Sequence, residues 1–286
     1  MISLRSAFAL ASFCALAACG GSSSSSSPPP PPPFPAAPQI DASNYLDAFA
    51  VTSIAFARSD LLVDAGDAAF AASLATAPSS PCALAGLIDT SLDAGTRRFS
   101  FRDCRSRDRY FAAGVMTSSN LTGALINGVQ ALADADFILK DLSYSIASPP
   151  DALLESAQGQ VRVQRSSSGA VVISGAFNVL RNGRADAYTE LSLGRTAPDV
   201  QGRTRPALGV MRIASPRFAS ALEAGVTLSS IVVRAPDGSY LEISDAAAGT
   251  GYQMRLYRGT GDVAQLTQTW SANAPEIKRA LSHALL

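Results

Sequence analysis

The stretch AVVISGAFNVLRNGRADAYTELSL, Ala170–Leu193, decides the fold class. Its apolar side chains recur at every second residue, so Val171, Ile173, Phe177 and Val179 share one face of an extended strand. Asn182-Gly183 then supplies two residues that accept positive φ, which a two-residue hairpin turn requires. Leu191 and Leu193 bring the chain back. Period 2 with a turn pair at its centre describes an antiparallel hairpin with one buried face.

The same period governs both flanks. In RFSF, Phe99 and Phe101 oppose Arg98, Ser100 and Arg102; in QVRVQ, Val161 and Val163 oppose Arg162 and Gln164. IVVRAPDGSYLEIS (Ile231–Ser244) is a second hairpin, turning at Pro236-Asp237-Gly238 with Leu241 and Ile243 inward. YQMRLY and VAQLTQTW follow as strands, separated by Gly259-Thr260-Gly261. The paired Gly-Thr-Gly segments lack the strand–loop–helix setting of a phosphate cradle and read as turns.

Only the two ends change period. From Asp41 to Gly66 the pattern is helical, with Ser43 or Asn44 as cap and Asp47 in the first turn. Tyr45, Leu46, Phe49, Ile54 and Phe56 give it a broad apolar surface. Gly66 is expected to end this helix, and a second short one to run from Asp67 to Ala75. The tail NAPEIKRALSHALL predicts a closing helix, capped by Asn273, with Pro275 in its first turn and Ile277, Leu281 and Leu285 on one side. The expected architecture is mainly β with flanking helices: a curved antiparallel sheet, as an open barrel or a sandwich, packed on the N-terminal helix. Residues 40–286 should form a single domain, since all-β units of this size are common. No fixed-period repeat is present.

The first 39 residues cannot join that core. Arg5 precedes a mostly apolar run, Ala7–Ala18, that is shorter than the ~20 residues of a membrane span and fits a signal peptide over residues 1–18. The run ends in Leu16-Ala17-Ala18-Cys19. This L-A-A-C stretch resembles the lipobox of bacterial lipoproteins. The resemblance implies lipidation of the Cys19 thiol, cleavage before it and acylation of the new amino terminus. It makes the membrane, through an N-terminal palmitate-type lipid, the first expected partner. Gly20 stands where an aspartate would signal inner-membrane retention in the enterobacterial pattern, so the outer membrane is the expected location. Ser22–Ser27 is flexible and Pro28–Pro33 extended, together a disordered spacer over residues 19–39. The body is similar to uncharacterised proteobacterial envelope lipoproteins in its Ser/Pro tether, its S-N-Y-L helix start and an F-R-D-C cysteine ahead of G-V-M. That similarity implies an architecture and no activity.

Of four cysteines, Cys14 falls in the leader and Cys19 in the lipobox; Cys82 and Cys104 remain. An even pair in an exported chain predicts a structural disulfide. Formal net charge is zero, with 23 acidic and 23 basic residues, which leaves no global field for nucleic acid. G-x-S-x-G, S-x-x-K, H-E-x-x-H and a Walker loop are all missing, and the single histidine, His283, lies in the tail helix. No cofactor or metal is expected.

Four groups of residues remain as candidates. Arg97, Arg98, Arg102, Arg105, Arg107 and Arg109 form the densest charge cluster; Arg102, Arg105 and Arg107 are the candidate anion site, for an envelope glycolipid, polysaccharide or protein partner. Asp60, Asp64 and Asp67 fall at helical spacing, either as a calcium site or as a solvated face. Asp186, Tyr188, Glu190 and Ser192 should line the polar face of one strand, where two carboxylates could act on a glycan. Phe99, Phe137 and Phe177 could line an apolar cavity. The expected function is a non-enzymatic envelope lipoprotein that binds or scaffolds. The alternatives are a carrier of an apolar ligand (a lipid or a lipoprotein acyl chain) and a carboxylate-based glycan hydrolase.

Overall fold

A computed structural model of the chain describes residues 39–105, 109–126, 128–145, 154–197, 206–227, 229–246, 251–259, 261 and 263–285. Cys19, the Ser/Pro spacer and Arg107 lie outside the described residues. Helix α1 (Tyr45–Ser73) comes first. The strands that follow are β1 (Ser79–Pro81), β2 (Ala85–Asp93), β3 (Thr96–Arg105), β4 (Tyr110–Ser118) and β5 (Thr122–Ile126). Next come β6 (Val129–Ser145), β7 (Glu155–Arg165), β8 (Val171–Arg181), β9 (Arg184–Arg195) and β10 (Pro206–Ala214). The last are β11 (Leu222–Val226), β12 (Ser230–Arg234), β13 (Tyr240–Asp245), β14 (Gly251–Tyr257) and β15 (Leu266–Ser271), and helix α2 (Pro275–Leu285) closes the chain.

Among the described residues all fifteen strands belong to one antiparallel sheet whose order follows the sequence, with β5 pairing β6 beside the main path. The sheet is open, not a sandwich: one layer curves around α1. That helix touches β1, β2, β6, β12, β13 and α2. Its side chains are buried all round, from Tyr45 and Phe49 through Leu61 and Leu62 to Phe70. A helix with so broad an apolar surface needs cover over most of its circumference, and the curved sheet supplies it. No helix among the described residues is long and apolar enough to cross a membrane.

The sequence pattern meets this architecture at most positions. Phe99, Phe101, Val161, Val163, Val171, Ile173, Phe177, Val179, Leu191, Leu193, Leu241 and Ile243 are all buried. Asn182 and Gly183 have φ of 47° and 74°, and Arg181 pairs with Arg184 across them. Ile40 donates its backbone N–H to the Ser239 hydroxyl in the β12–β13 turn at 2.8 Å, which pins the start of the domain to the second hairpin.

Three expectations need correction. Gly66 does not end the helix; α1 continues unbroken through Asp67 to Ser73. The glycine is a packing notch: a Cβ there would stand 3.0 Å from Cε2 of Phe137 and 3.3 Å from Cδ2 of Leu132. Asn44 flanks the helix start, but its side chain accepts from the Asp41 N–H and donates to the Gln39 carbonyl, so it ties the chain ahead of the helix. At the other end α2 starts at Pro275, and Ala274, not Asn273, accepts the Lys278 N–H.

Cys82 and Cys104 form a disulfide, with Cα atoms 5.4 Å apart, between the loop after β1 and β3. Closing a loop of this separation removes on the order of 3 kcal/mol of unfolded-state entropy. Cys82→Ser/Cys104→Ser should therefore lower unfolding free energy by about 3 kcal/mol, read from urea melts of the oxidised parent and the double variant.

Candidate functional site

The strands' inward stripes do not stop at apolar residues. In β8 the alternation Val171, Ile173, Phe177, Val179 runs on to Arg181; in β7, Glu155, Ala157, Val161 and Val163 run on to Arg165; in β9, Leu191 and Leu193 run on to Arg195. Each stripe thus carries a charge to the rim of the core, and each charge meets a partner on α1 or on a neighbouring strand.

At the centre lies Arg58 of α1, 2% exposed. Its Nε donates to Glu155 Oε2 at 2.9 Å and its Nη2 to Oε1 at 2.6 Å, a bidentate grip on a carboxylate that is itself fully buried. Its Nη1 donates to Asp186 Oδ2 at 2.5 Å and to the Tyr188 hydroxyl. Burial works against the Arg58 charge, but the Tyr188 oxygen and the Glu155 carboxylate outweigh it and hold the guanidinium well above its ordinary value. Burial pushes the Tyr188 and Tyr144 phenols up, so both stay neutral. Arg181 reaches the same Glu155 Oε1 at 3.3 Å.

Asp186 and Tyr188 reach this cluster because of a β-bulge. Gly175 pairs with Leu191 and Phe177 with Tyr188, so β9 spends one residue more than β8; the same slip recurs against β10. Glu190 sits at the bulge with φ of 52°. An extra residue inverts the alternation, so Leu191, Leu193 and Tyr188 all point inward while Glu190 and Ser192 face out. The expected polar face of Asp186, Tyr188, Glu190 and Ser192 is therefore split. Asp186 and Glu190 lie on opposite sides of the sheet and do not form an acid/base pair.

A second set of charges runs along α1. Asp60 pairs with Arg195, Asp64 Oδ2 accepts from Arg109 Nε at 2.5 Å, and Asp67 Oδ2 accepts from Arg165 Nη2 at 2.7 Å. The three aspartates are a ladder between helix and strands, not a calcium site or a freely solvated face. No group of acidic, histidine or cysteine side chains among the described residues is arranged to hold a metal. Burial raises the Asp64 carboxyl, and the Arg109 hydrogen bond opposes it.

Cavities adjoin these charges, three of them sizeable. The largest, about 750 Å³, lies beside the disulfide under Ala68, Ala71, Ala72, Ile88 and Phe111, with Asp64, Asp67 and Arg109 along it. Those three charged residues also line a neighbouring pocket of about 360 Å³. A third, about 260 Å³, opens over Arg58 and Arg181, with Arg184, Asp186, Ser215 and Arg217 around it. Phe99, Phe137 and Phe177 line none of these; all three are locked in the core.

The arginine-rich segment after Thr96 is spread out. Arg102 pairs with Asp89 at 2.7 Å and is more than half exposed, Arg97 donates to the Ser73 carbonyl at the end of α1, and Arg105 lies over the Tyr110 ring at 4.5 Å. His283 is exposed in the last turn of α2. Arg58, Glu155 and Arg181 have no place among the residues expected from the sequence. Their signal was there: each is a charge in phase with an apolar stripe.

No protein-family model matches the chain, and no curated protein or solved structure is significantly similar to it. Charge and cavity geometry carry the functional reading.

Proposed function

We propose that this chain is a non-enzymatic binding domain, tethered by lipid on Cys19 to the outer membrane of a cell envelope. One observation carries the binding reading. The carboxylates that line these three cavities, Asp60, Asp64, Asp67 and Asp186, are each paired with a guanidinium, which suits fixed charges better than a general acid or base. The cavities themselves open beside fixed charges, which suits recognition of a ligand's polar group. The lipobox and the Ser/Pro spacer supply the tether. The groove of about 750 Å³ favours a second reading, carriage of one apolar chain, because alanines, Ile88 and Phe111 dominate its wall.

Metabolic labelling with a fatty acid should mark the wild-type chain and leave Cys19→Ala unlabelled. The variant should move from the outer-membrane fraction to the soluble periplasmic fraction. An unlabelled wild-type chain would overturn the tether, and turnover of an envelope glycan by the purified chain would overturn the non-enzymatic reading.

A further inference from the structure

We infer, building on the binding-domain reading, that the pocket over Arg58 and Arg181 is a site for a phosphate group, as inorganic phosphate or as a phosphomonoester on an envelope glycolipid. Arg181 is the residue that calls for a ligand. Its side chain is only 7% exposed, and its one polar partner among the described residues is Glu155 Oε1 at 3.3 Å. Arg58 already occupies that oxygen at 2.6 Å. A guanidinium carries five N–H donors, and the rest of those on Arg181 meet no acceptor among the described residues. Those donors are not sealed in the core: Arg181 lines the pocket, and anion oxygens entering it can replace water on them with charge-assisted hydrogen bonds.

The surroundings match that demand. Four arginines, Arg58, Arg181, Arg184 and Arg217, line the pocket with Asp186, while Glu155 behind Arg58 and Arg181 and Asp47 beside Arg217 balance part of their charge. Asp186 is already engaged by Arg58 at 2.5 Å. Arg217 leans toward Asp47 at 3.8 Å, a loose contact that leaves it able to turn inward. Arg181 and Arg184 face each other across the β8–β9 turn, so the tight hairpin fixes their spacing. Guanidinium groups bind phosphate oxygens in pairs, which lysines do not. A phosphate carries up to two charges and three terminal acceptors, more than a carboxylate, and so fits several arginines better. At about 260 Å³ the space exceeds the ~30 Å³ share of a water several-fold and admits the group with a short substituent.

The test is a phosphorus NMR titration of inorganic phosphate and of glycerol phosphate with the full chain. The wild type should shift both resonances saturably. Arg184→Ser/Arg217→Ser removes two charges from the pocket wall outside the core and should weaken binding by about tenfold or more. Arg181→Met should abolish it, and Arg102→Ser/Arg105→Ser should leave it unchanged. Flotation with phosphatidylcholine vesicles, with and without a phosphorylated glucosamine lipid, separates the sources: capture only by the phosphorylated vesicles assigns the headgroup, and a response to free phosphate alone assigns the ion. No saturable shift in the wild type overturns the inference, and so does equal affinity in Arg184→Ser/Arg217→Ser. Capture of an unphosphorylated glycan without any phosphate response would also overturn it, yet leave the binding-domain reading standing. Release of inorganic phosphate from glycerol phosphate would do the reverse, supporting the pocket and ending the non-enzymatic reading.

Discussion

Arg58→Met should lower unfolding free energy by about 3–5 kcal/mol, seen as a lower urea midpoint with little change in slope. The substitution keeps an unbranched apolar stem on α1 and removes the charge. What remains is Glu155, fully buried, with only the 3.3 Å contact from Arg181 in place of a bidentate partner. Breaking a buried pair on one side costs more than the pair contributes, because the surviving charge has lost its solvent and its counter-ion together. Asp186 and the Tyr188 hydroxyl lose their donor at the same time. Arg58→Met/Glu155→Gln should recover part of the loss, since the second change removes the stranded carboxylate. A double variant weaker than Arg58→Met alone would mean that Glu155 is held chiefly by Arg181. An unchanged midpoint in Arg58→Met would show that the cluster contributes nothing to folding.

This cluster also marks where the sequence could be read and where it could not. Alternation located the hairpin at Asn182-Gly183 and the buried faces of β3, β7, β8 and β13, because half-buried strands must repeat every second residue. It missed the bulge at Glu190 because one inserted residue leaves composition unchanged and merely flips the phase. The flip can be seen in retrospect: Leu191 and Leu193 are odd-numbered, and Tyr188 and Asp186 are even. Arg58, Arg181 and Glu155 escaped notice for a related reason. A charge in phase with an apolar stripe carries no motif of its own, whereas in a sheet curved around a helix the inward stripes end at charges that meet across the core. The disulfide followed from cysteine count and compartment, and needed no geometry. The cavity by the disulfide and the pocket over Arg181 had no sequence signal, since each is built from elements far apart in the chain.

Gly66 gives the sharpest test of how the helix sits in its sheet. Phe137 is fully buried on β6 and its ring lies against the face of α1 that Gly66 leaves bare. Phe137→Ala should cost about 3–5 kcal/mol, the range for removing a buried phenylalanine from a core that cannot close over the gap. Gly66→Ala pulls two ways. A mid-helix alanine is favoured over glycine by about 1 kcal/mol, but its Cβ would lie 3.0 Å from the ring and 3.3 Å from Leu132, both fully buried side chains. Overpacking of this kind costs about 1–3 kcal/mol, so Gly66→Ala should destabilise the wild type. In Phe137→Ala the ring is gone, the added methyl fills part of the gap, Leu132 at 3.3 Å gains room to shift, and the helix preference dominates. The same substitution should then stabilise by about 1 kcal/mol. A change of sign between the two backgrounds, measured as a double-mutant cycle in urea, is the signature of a notch cut for one ring. If Gly66→Ala has equal effects in both, Gly66 is not shaped by Phe137 and the helix and β6 do not meet as closely as the notch requires.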